Sequence, residues 1–287
     1  DDAIPPWTKS IISGGGWNAD RGNWAIVDST MCSVSYGRYN VTALIDAFRL
    51  SANGRLVLQE NRLDALTHFF VARDSMYRQV YQHRVLQAVD ALTRTIVLRA
   101  REIASSAYAS ADDHPKFSEP VPGMFCDSTM LKALLCSEYA TQMPLDRVFE
   151  MTEPWWHYHI HHWCSCRDEV LSDLCLRYRD RRLFKTIRLP IDEDGSLSTN
   201  ALQIVEEAKQ AASSLGLDPR FYVHVIEEKD KHRRKPEESP LIGLESGGVA
   251  PVDQVEPLIA QIMRPPSKTR TWLAVPKKVK EILGRCR

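Results

Sequence analysis

The sequence predicts a mainly α-helical protein with a smaller α+β part toward its C-terminal end. Apolar residues recur at three- and four-residue spacing through most of the first 190 positions, as expected of helices that each bury one face. The stretch from Leu63 to about Ala104 contains neither Gly nor Pro, so it predicts one long helix or two abutting ones. Beyond Leu189 the texture changes to alternating, strand-like segments between short helical ones. The chain therefore divides, by sequence, into a helical body over residues 1–190 and an α+β domain over 191–287.

Taken in order, a Pro pair and the segment SGGGWN form a hinge before a helix that begins near Asn18. YGRYNVTALIDAFRL opens with turn-like residues and passes into an amphipathic helix with Leu44, Ile45 and Phe48 on its apolar face. ANGRLVLQENR reads as a short hairpin, with a turn at Asn53–Gly54 and a strand at LVL. The long helical stretch follows, carrying Leu66, Phe69, Phe70, Ala72, Met76, Val80, Val85, Val89, Leu92 and Ile96. Residues 105–125 are rich in Ser, Ala and Pro and read as a loop. Helical periodicity resumes at MLKALLCSEYA and again from Trp155 through RRLFKTIRL. LPIDEDGSLS is read as a linker, and the next helix closes at Gly216 as its C-cap. FYVHVIEE is a strand, EKDKHRRKPEESP a charged loop, VEPLIAQIM a helix, TRTWLAVP a strand and KKVKEILGRCR a final helix.

Composition narrows the function. In 287 residues, hydrophobic content is 44% and charged content 26%, as in a globular chain. Lys+Arg and Asp+Glu both number 37, which removes any bulk-charge argument for nucleic acid. No apolar run reaches the roughly 18 residues of a membrane span, and DDAIPPW lacks the basic and apolar regions of a signal peptide. The seven Cys fit no disulfide framework, so free thiols in a reducing cytoplasm are expected.

Three stretches carry chemistry. In NADRGNWAIVDS, residues 18–29, Asp20, Trp24 and Asp28 share one helical face and Arg21 lies beside it. That line is either a solvated, salt-bridged face or the wall of a pocket that needs carboxylates and an indole. In ARDSMYRQVYQHR, residues 72–84, Arg73, Tyr77 and Tyr81 are again four apart. A guanidinium fork and aromatic rings on one face suit a nucleotide, the fork taking phosphate oxygens and a ring stacking on sugar or base. The plain alternative is a half-buried helix with its hydroxyls outward. In WWHYHIHHWCSC, residues 155–166, His157 and His161 are four apart and Cys164 three further on, a set that could hold zinc; three interleaved Trp favour packing instead.

Together these stretches resemble the HD-domain deoxynucleoside triphosphate triphosphohydrolases, a family that includes bacterial dGTPases and the vertebrate sterile-alpha-motif/HD dNTPase. Residues 18–29 are similar to the family's DxDRxDYxxRD segment, YGRYNVTALI to YGxxDxxRLI, ARDSMYRQVYQHR to its AR…MY..VY.H segment, and RRLFKTIRL to RxLFK. The resemblance runs in order over most of the chain. It implies an HD-superfamily helical body and hydrolysis of dNTPs to a deoxynucleoside and tripolyphosphate. It further implies a divalent metal (Mg, Mn, Fe or Zn), a homo-oligomer and a possible activating nucleotide bound between subunits.

By position, the resemblance makes Asp20 the last ligand of the metal set. It sets Arg21 and Arg73 on the triphosphate and Trp24 where the family has a Tyr beside sugar and phosphates. It aligns Asp28 with the carboxylate on the 3′-hydroxyl and Tyr81 with the ring under the deoxyribose, with Gln82 beside it. Tyr77 joins them on the same helical face. Two departures follow. Asn23 replaces an Asp and Trp24 the Tyr, and no His-Asp dipeptide occurs anywhere in the sequence. The remaining His…His-Asp is therefore expected from an upstream segment or a partner chain; otherwise the chain is a noncatalytic nucleotide-binding regulatory or scaffold subunit. The basic loop with Lys229, Lys231, Arg233, Arg234 and Lys235 is a candidate regulatory element, against the plain reading of a solvated run. Nucleotide-pool control and antiviral defence against phage are both compatible with the family.

Overall fold

The computed structural model describes residues 4–12, 16–108, 121–135, 143–228, 239–263 and 270–285. Helices predominate among them and strands form two small sheets, the mainly α architecture with a lesser α+β part that the sequence predicts. In chain order the elements are α1 (Pro6–Ile12), α2 (Ala19–Met31), α3 (Val41–Asp46), β1 (Phe48–Leu50), β2 (Leu56–Gln59) and α4 (Leu63–Met76). A π-helical turn, Tyr77–Tyr81, leads to α5 (Arg84–Tyr108), α6 (Ser128–Leu135), α7 (Leu145–Glu150), α8 (Glu153–Trp163), α9 (Glu169–Arg179) and β3 (Lys185–Leu189). Then come α10 (Thr199–Ser214), α11 (Pro219–Tyr222), β4 (His224–Glu228), β5 (Leu241–Gly243) and β6 (Val249–Pro251). Last are α12 (Val252–Val255), α13 (Pro257–Met263), β7 (Arg270–Val275) and α14 (Lys277–Arg285).

These elements form two compact units, Asp1–His83 with Glu228–Thr269, and Arg84–Glu227 with Arg270–Arg287. The boundary expected near residue 190 falls inside the second unit. β3 pairs with β7 along its whole length, from Lys185↔Val275 to Leu189↔Thr271, and so ties residue 189 to the chain's far end. The expected linker after it is a tight turn instead. Ile191 bridges Leu197, Asp194 accepts hydrogen bonds from Ser196, and Gly195 takes a φ of 86°.

In the first unit, the hairpin expected at Asn53–Gly54 forms, with β1 and β2 antiparallel and Gly54 at φ 69°. β2 also pairs in parallel with β5, which pairs antiparallel with β6, giving the order β1-β2-β5-β6. The strand segments β5 and β6 are too short to announce themselves by alternation. The helix expected through Phe48 stops at Asp46, because Phe48 enters β1; Leu44 is buried but Ile45 is exposed. Trp17, Leu44, Leu58, Leu66, Phe69, Phe70 and Ile242 close the core of this unit.

In the second unit, α5 buries a stripe at Ala88, Leu92, Ile96, Ala100 and Ala104, each four residues on from the last. Val85, expected in that stripe, is exposed. α5 reaches four residues into the expected loop, to Tyr108, because its last buried position is Ala104 and a further turn completes the hydrogen bonds around it. α9 packs Leu171, Leu174 and Cys175 against the same core. α10 buries Ala201, Ile204, Val205, Ala208, Ala211 and Ala212, a helical face that meets Leu273 and Val275 of β7 and Val279 and Leu283 of α14. Gly216 follows α10 at φ 72°, as its C-cap role requires. RRLFKTIRL, expected to be helical, leaves the helix and forms β3 over its KTIRL half; the ladder to β7 outweighs local helical spacing.

Two polar contacts hold this unit together. Arg99 of α5 grips Asp168 with two hydrogen bonds, Nε to Oδ1 at 3.0 Å and Nη2 to Oδ2 at 2.6 Å, while Asp168 Oδ1 also accepts from Leu171 N–H as the α9 N-cap. The Arg99 hydrogen bonds hold the Asp168 carboxyl below its ordinary pKa. Asp168→Ala removes the cap and leaves a half-buried guanidinium short of its partner. It is expected to cost about 2 kcal/mol of stability, measured by urea unfolding. Burial lowers the His224 pKa, with the Arg94 charge adding to the effect against the Phe221 carbonyl. The neutral ring is therefore the folded form, and its contribution is present above the ordinary imidazole value of about 6.5 and lost as pH falls below it. The melting temperature should decline from pH 7.5 to 5.5, roughly across that value, and His224→Gln should flatten the decline.

Candidate functional site

The site lies in the first unit, where α2 meets the end of α4 and the π turn. α2 starts where the sequence places it. Asn18 caps it, its Oδ1 accepting from Arg21 N–H at 2.7 Å, and Asp20 in the first turn favours the positive end of the helix dipole. Its inner side is fixed by a close approach. Ser29 is fully buried, donates to Val34 C=O at 2.7 Å and accepts from Gly37 N–H at 3.3 Å. A Cβ on Gly37 would stand 1.9 Å from the Ala25 carbonyl oxygen, so only glycine lets this loop lie on α2.

α4 buries Leu66, Phe69, Phe70, Ala72 and Met76 and leaves Arg73 on the flank facing α2. The helix then widens. Gln82 N–H donates to Tyr77 C=O five residues back at 2.8 Å, closing a π turn. The four-residue step from Arg73 to Tyr77 overshoots a full α-helical turn, and the step from Tyr77 to Tyr81 in the wider turn falls short of one, so the two offsets oppose each other. Arg73, Tyr77 and Tyr81 therefore stand in a column. The Arg73 guanidinium carbon is 4.8 Å from the Tyr77 ring centroid, and the Tyr77 and Tyr81 rings are 5.2 Å apart.

α2 supplies the facing side. Trp24 meets Tyr77 and Tyr81 edge-on, with centroids at 5.7 and 5.3 Å. One turn on, Asp28 accepts a short hydrogen bond from the Tyr81 hydroxyl. Burial, then the Asp28 bond and charge, push the Tyr81 pKa far up, so the phenol stays protonated and donates. Burial also lowers the Arg73 pKa; Arg21 lowers it further as a like charge, while Tyr77 and Asp74 oppose both. The Arg73 Nε is buried with no hydrogen-bond partner among the described residues. Two cations within each other's field, one of them half desolvated with an unused donor, make a place that favours an anion.

Of the sequence-derived candidates, Trp24, Asp28, Arg73, Tyr77 and Tyr81 thus converge, Arg21 is close enough to act electrostatically on Arg73, and Gln82 ends the π turn beside Tyr81. Asp20 is exposed on the first turn of α2. Among the described residues no three His, Cys, Asp or Glu side chains converge on a point that could hold a metal ion, so Asp20 alone does not fit a divalent metal. Nor, among the described residues, does the zinc set weighed against packing at His157, His161 and Cys164 assemble. His157 instead faces Glu153 at 3.5 Å and packs its ring on Tyr178, and burial raises the Cys164 thiol pKa. The three Trp of that stretch pack as the plain reading had it, with Trp163 buried and its indole N–H on Phe125 C=O at 2.6 Å. The basic loop Lys229–Lys235 lies outside the described residues. Sequence reasoning missed Ser29 and Gly37, which position Asp28 from behind; the only signal was a glycine set among aromatic and polar residues.

The fold is shared with known proteins. A phosphohydrolase of Bacteroides thetaiotaomicron superposes with a TM-score of 0.73 at 22% identity, covering 96% of this chain and 65% of that one. A hypothetical protein of Aquifex aeolicus superposes with a TM-score of 0.51 at 19% identity, covering 96% of this chain and 58% of its own. In sequence, the uncharacterized protein YwfO of Bacillus subtilis is 24% identical over 213 residues, 74% of this chain and 43% of that protein. The chain thus spans under half the length of that relative and about two thirds or less of the two structures. No family model matches. At these identities the likeness establishes a common fold.

The Gly37 approach carries a direct expectation. Gly37→Ala forces the loop off α2 and should cost about 2–3 kcal/mol, as overpacking of a tight contact does. Thermal unfolding would register it as a clear fall in the melting temperature, larger than that of Gly54→Ala at the open turn.

Proposed function

We propose that the chain is part of a phosphohydrolase that takes deoxynucleoside triphosphates and releases a deoxynucleoside and tripolyphosphate. The observation that carries this reading is the column Arg73–Tyr77–Tyr81 set against Trp24 and Asp28, with Arg21 near Arg73: cations, rings and one carboxylate on two helices. The shared fold with a phosphohydrolase supports it, as does the sequence resemblance to the HD-domain triphosphohydrolases.

On this reading each residue has one task. Arg21 and Arg73 take phosphate oxygens and offset the charge that builds up as a phosphoester bond is cleaved. Asp28 accepts from a sugar hydroxyl, the place that the Tyr81 hydroxyl fills in this structure. Tyr81 gives the sugar a ring to lie on, and Trp24 holds both tyrosines in place. The divalent metal used by the family that the sequence resembles has no ligand set among the described residues, so the tasks assigned here are binding and positioning.

That same fact favours a second reading, a noncatalytic nucleotide-binding subunit. Incubating the full-length protein with each dNTP and Mg²⁺ or Mn²⁺ separates the two. Tripolyphosphate release supports the hydrolase; tight dNTP binding without release, under every activating nucleotide tried, leaves the binding subunit; neither binding nor release ends both. In an active protein, Arg73→Gln should lower kcat/KM about 30- to 100-fold, the worth of one or two charge-assisted hydrogen bonds.

A further inference from the structure

We infer that Tyr77 is a positioning residue for Arg73, presenting its guanidinium to the outer phosphates of the ligand. The inference rests on the site being a triphosphate site and adds the means by which its principal cation is aimed. An arginine in a half-buried site is ordinarily held by a carboxylate, which occupies the donors of the guanidinium fork. Arg73 is held by Tyr77, through its ring and a side-chain hydrogen bond. Its guanidinium carbon sits 4.8 Å from the Tyr77 centroid, and its Nε keeps no partner among the described residues. Stacking uses the flat face of the guanidinium and leaves the in-plane N–H edges for another acceptor.

The ring is itself braced. Trp24 stands edge-on to it at 5.7 Å and 81°, and Tyr81 lies at 5.2 Å and 58°. Tyr77 also opens the π turn, one α-helical turn after Arg73 of α4. A fixed cation with an open Nε donor recognises phosphate number more than base or sugar. Tyr77 therefore acts through Arg73, and its contribution exists only for ligands that carry phosphates.

A double-mutant cycle on the full-length protein tests this, with equilibrium binding of each of the four dNTPs and of the matching deoxynucleosides as the readout. Tyr77→Leu should weaken dNTP binding about tenfold, the scale of a partly desolvated cation–ring contact, and leave deoxynucleoside binding unchanged. In the Arg73→Gln background the same change should add less than about twofold, and Tyr77→Phe, which keeps the ring but loses the hydroxyl bonded to Arg73, should restore part of the affinity. Tyr77→Met, read in the same way, replaces Tyr77→Leu should that variant not fold. Additive losses, or an equal loss for the deoxynucleosides, would make Tyr77 an independent contact and overturn the inference while the triphosphate reading stands. A wild-type protein that binds no dNTP overturns both.

Discussion

The hydrogen bond from the Tyr81 hydroxyl to the Asp28 carboxylate joins two helical segments 53 residues apart in sequence and closes the candidate site in this structure. Trp24 packs beside it, against the core of the unit and edge-on to both tyrosines. With it, an indole, two phenols, a carboxylate and a guanidinium share one small volume. The tie is strong because burial and the carboxylate both keep the phenol protonated, so the donor is never lost near neutral pH.

The π turn is the second constraint. An α-helix would carry Tyr81 progressively round the helix from Arg73, about 100° per residue. The wider turn opposes that drift over its own residues, Tyr77–Tyr81. Gln82 and His83 then end the segment, their N–H groups going to Tyr77 and Val80 carbonyls. The helical stretch is thus interrupted where the chemistry-bearing residues lie, and its continuation α5 belongs to the second unit. Local irregularity and site coincide, as they often do when a helix gives up regularity for a ligand.

Behind the site, polar and packing constraints are interlocked. Ser29 sits one residue from Asp28 and fixes the loop through Val34 and Gly37, while Gly22 leaves room for the Tyr39 hydroxyl and the Trp17 indole. The side of α2 that carries Trp24 and Asp28 can face the tyrosines only because its other side is seated this closely. In the second unit Arg99 does comparable work, joining α5 to the cap of α9 through Asp168.

The sequence by itself determined the helical class, the helix start at Asn18, the turn at Asn53–Gly54, the cap at Gly216 and the two lines of four-residue spacing that meet in the site. These are local properties: capping, glycine conformation and periodicity act within a few residues, and a reader of the chain has all of them in view. Only the tertiary structure decided that the two lines face each other, that KTIRL is a strand, that residue 190 lies within one compact unit and that His157, His161 and Cys164 do not meet. Each of those turns on partners distant in sequence: Asp28 on Tyr81, Lys185 on Val275, His157 on Tyr178. Side-chain pairing at long range is paid for in chain entropy and won by burial, and neither quantity is written in the spacing of neighbours.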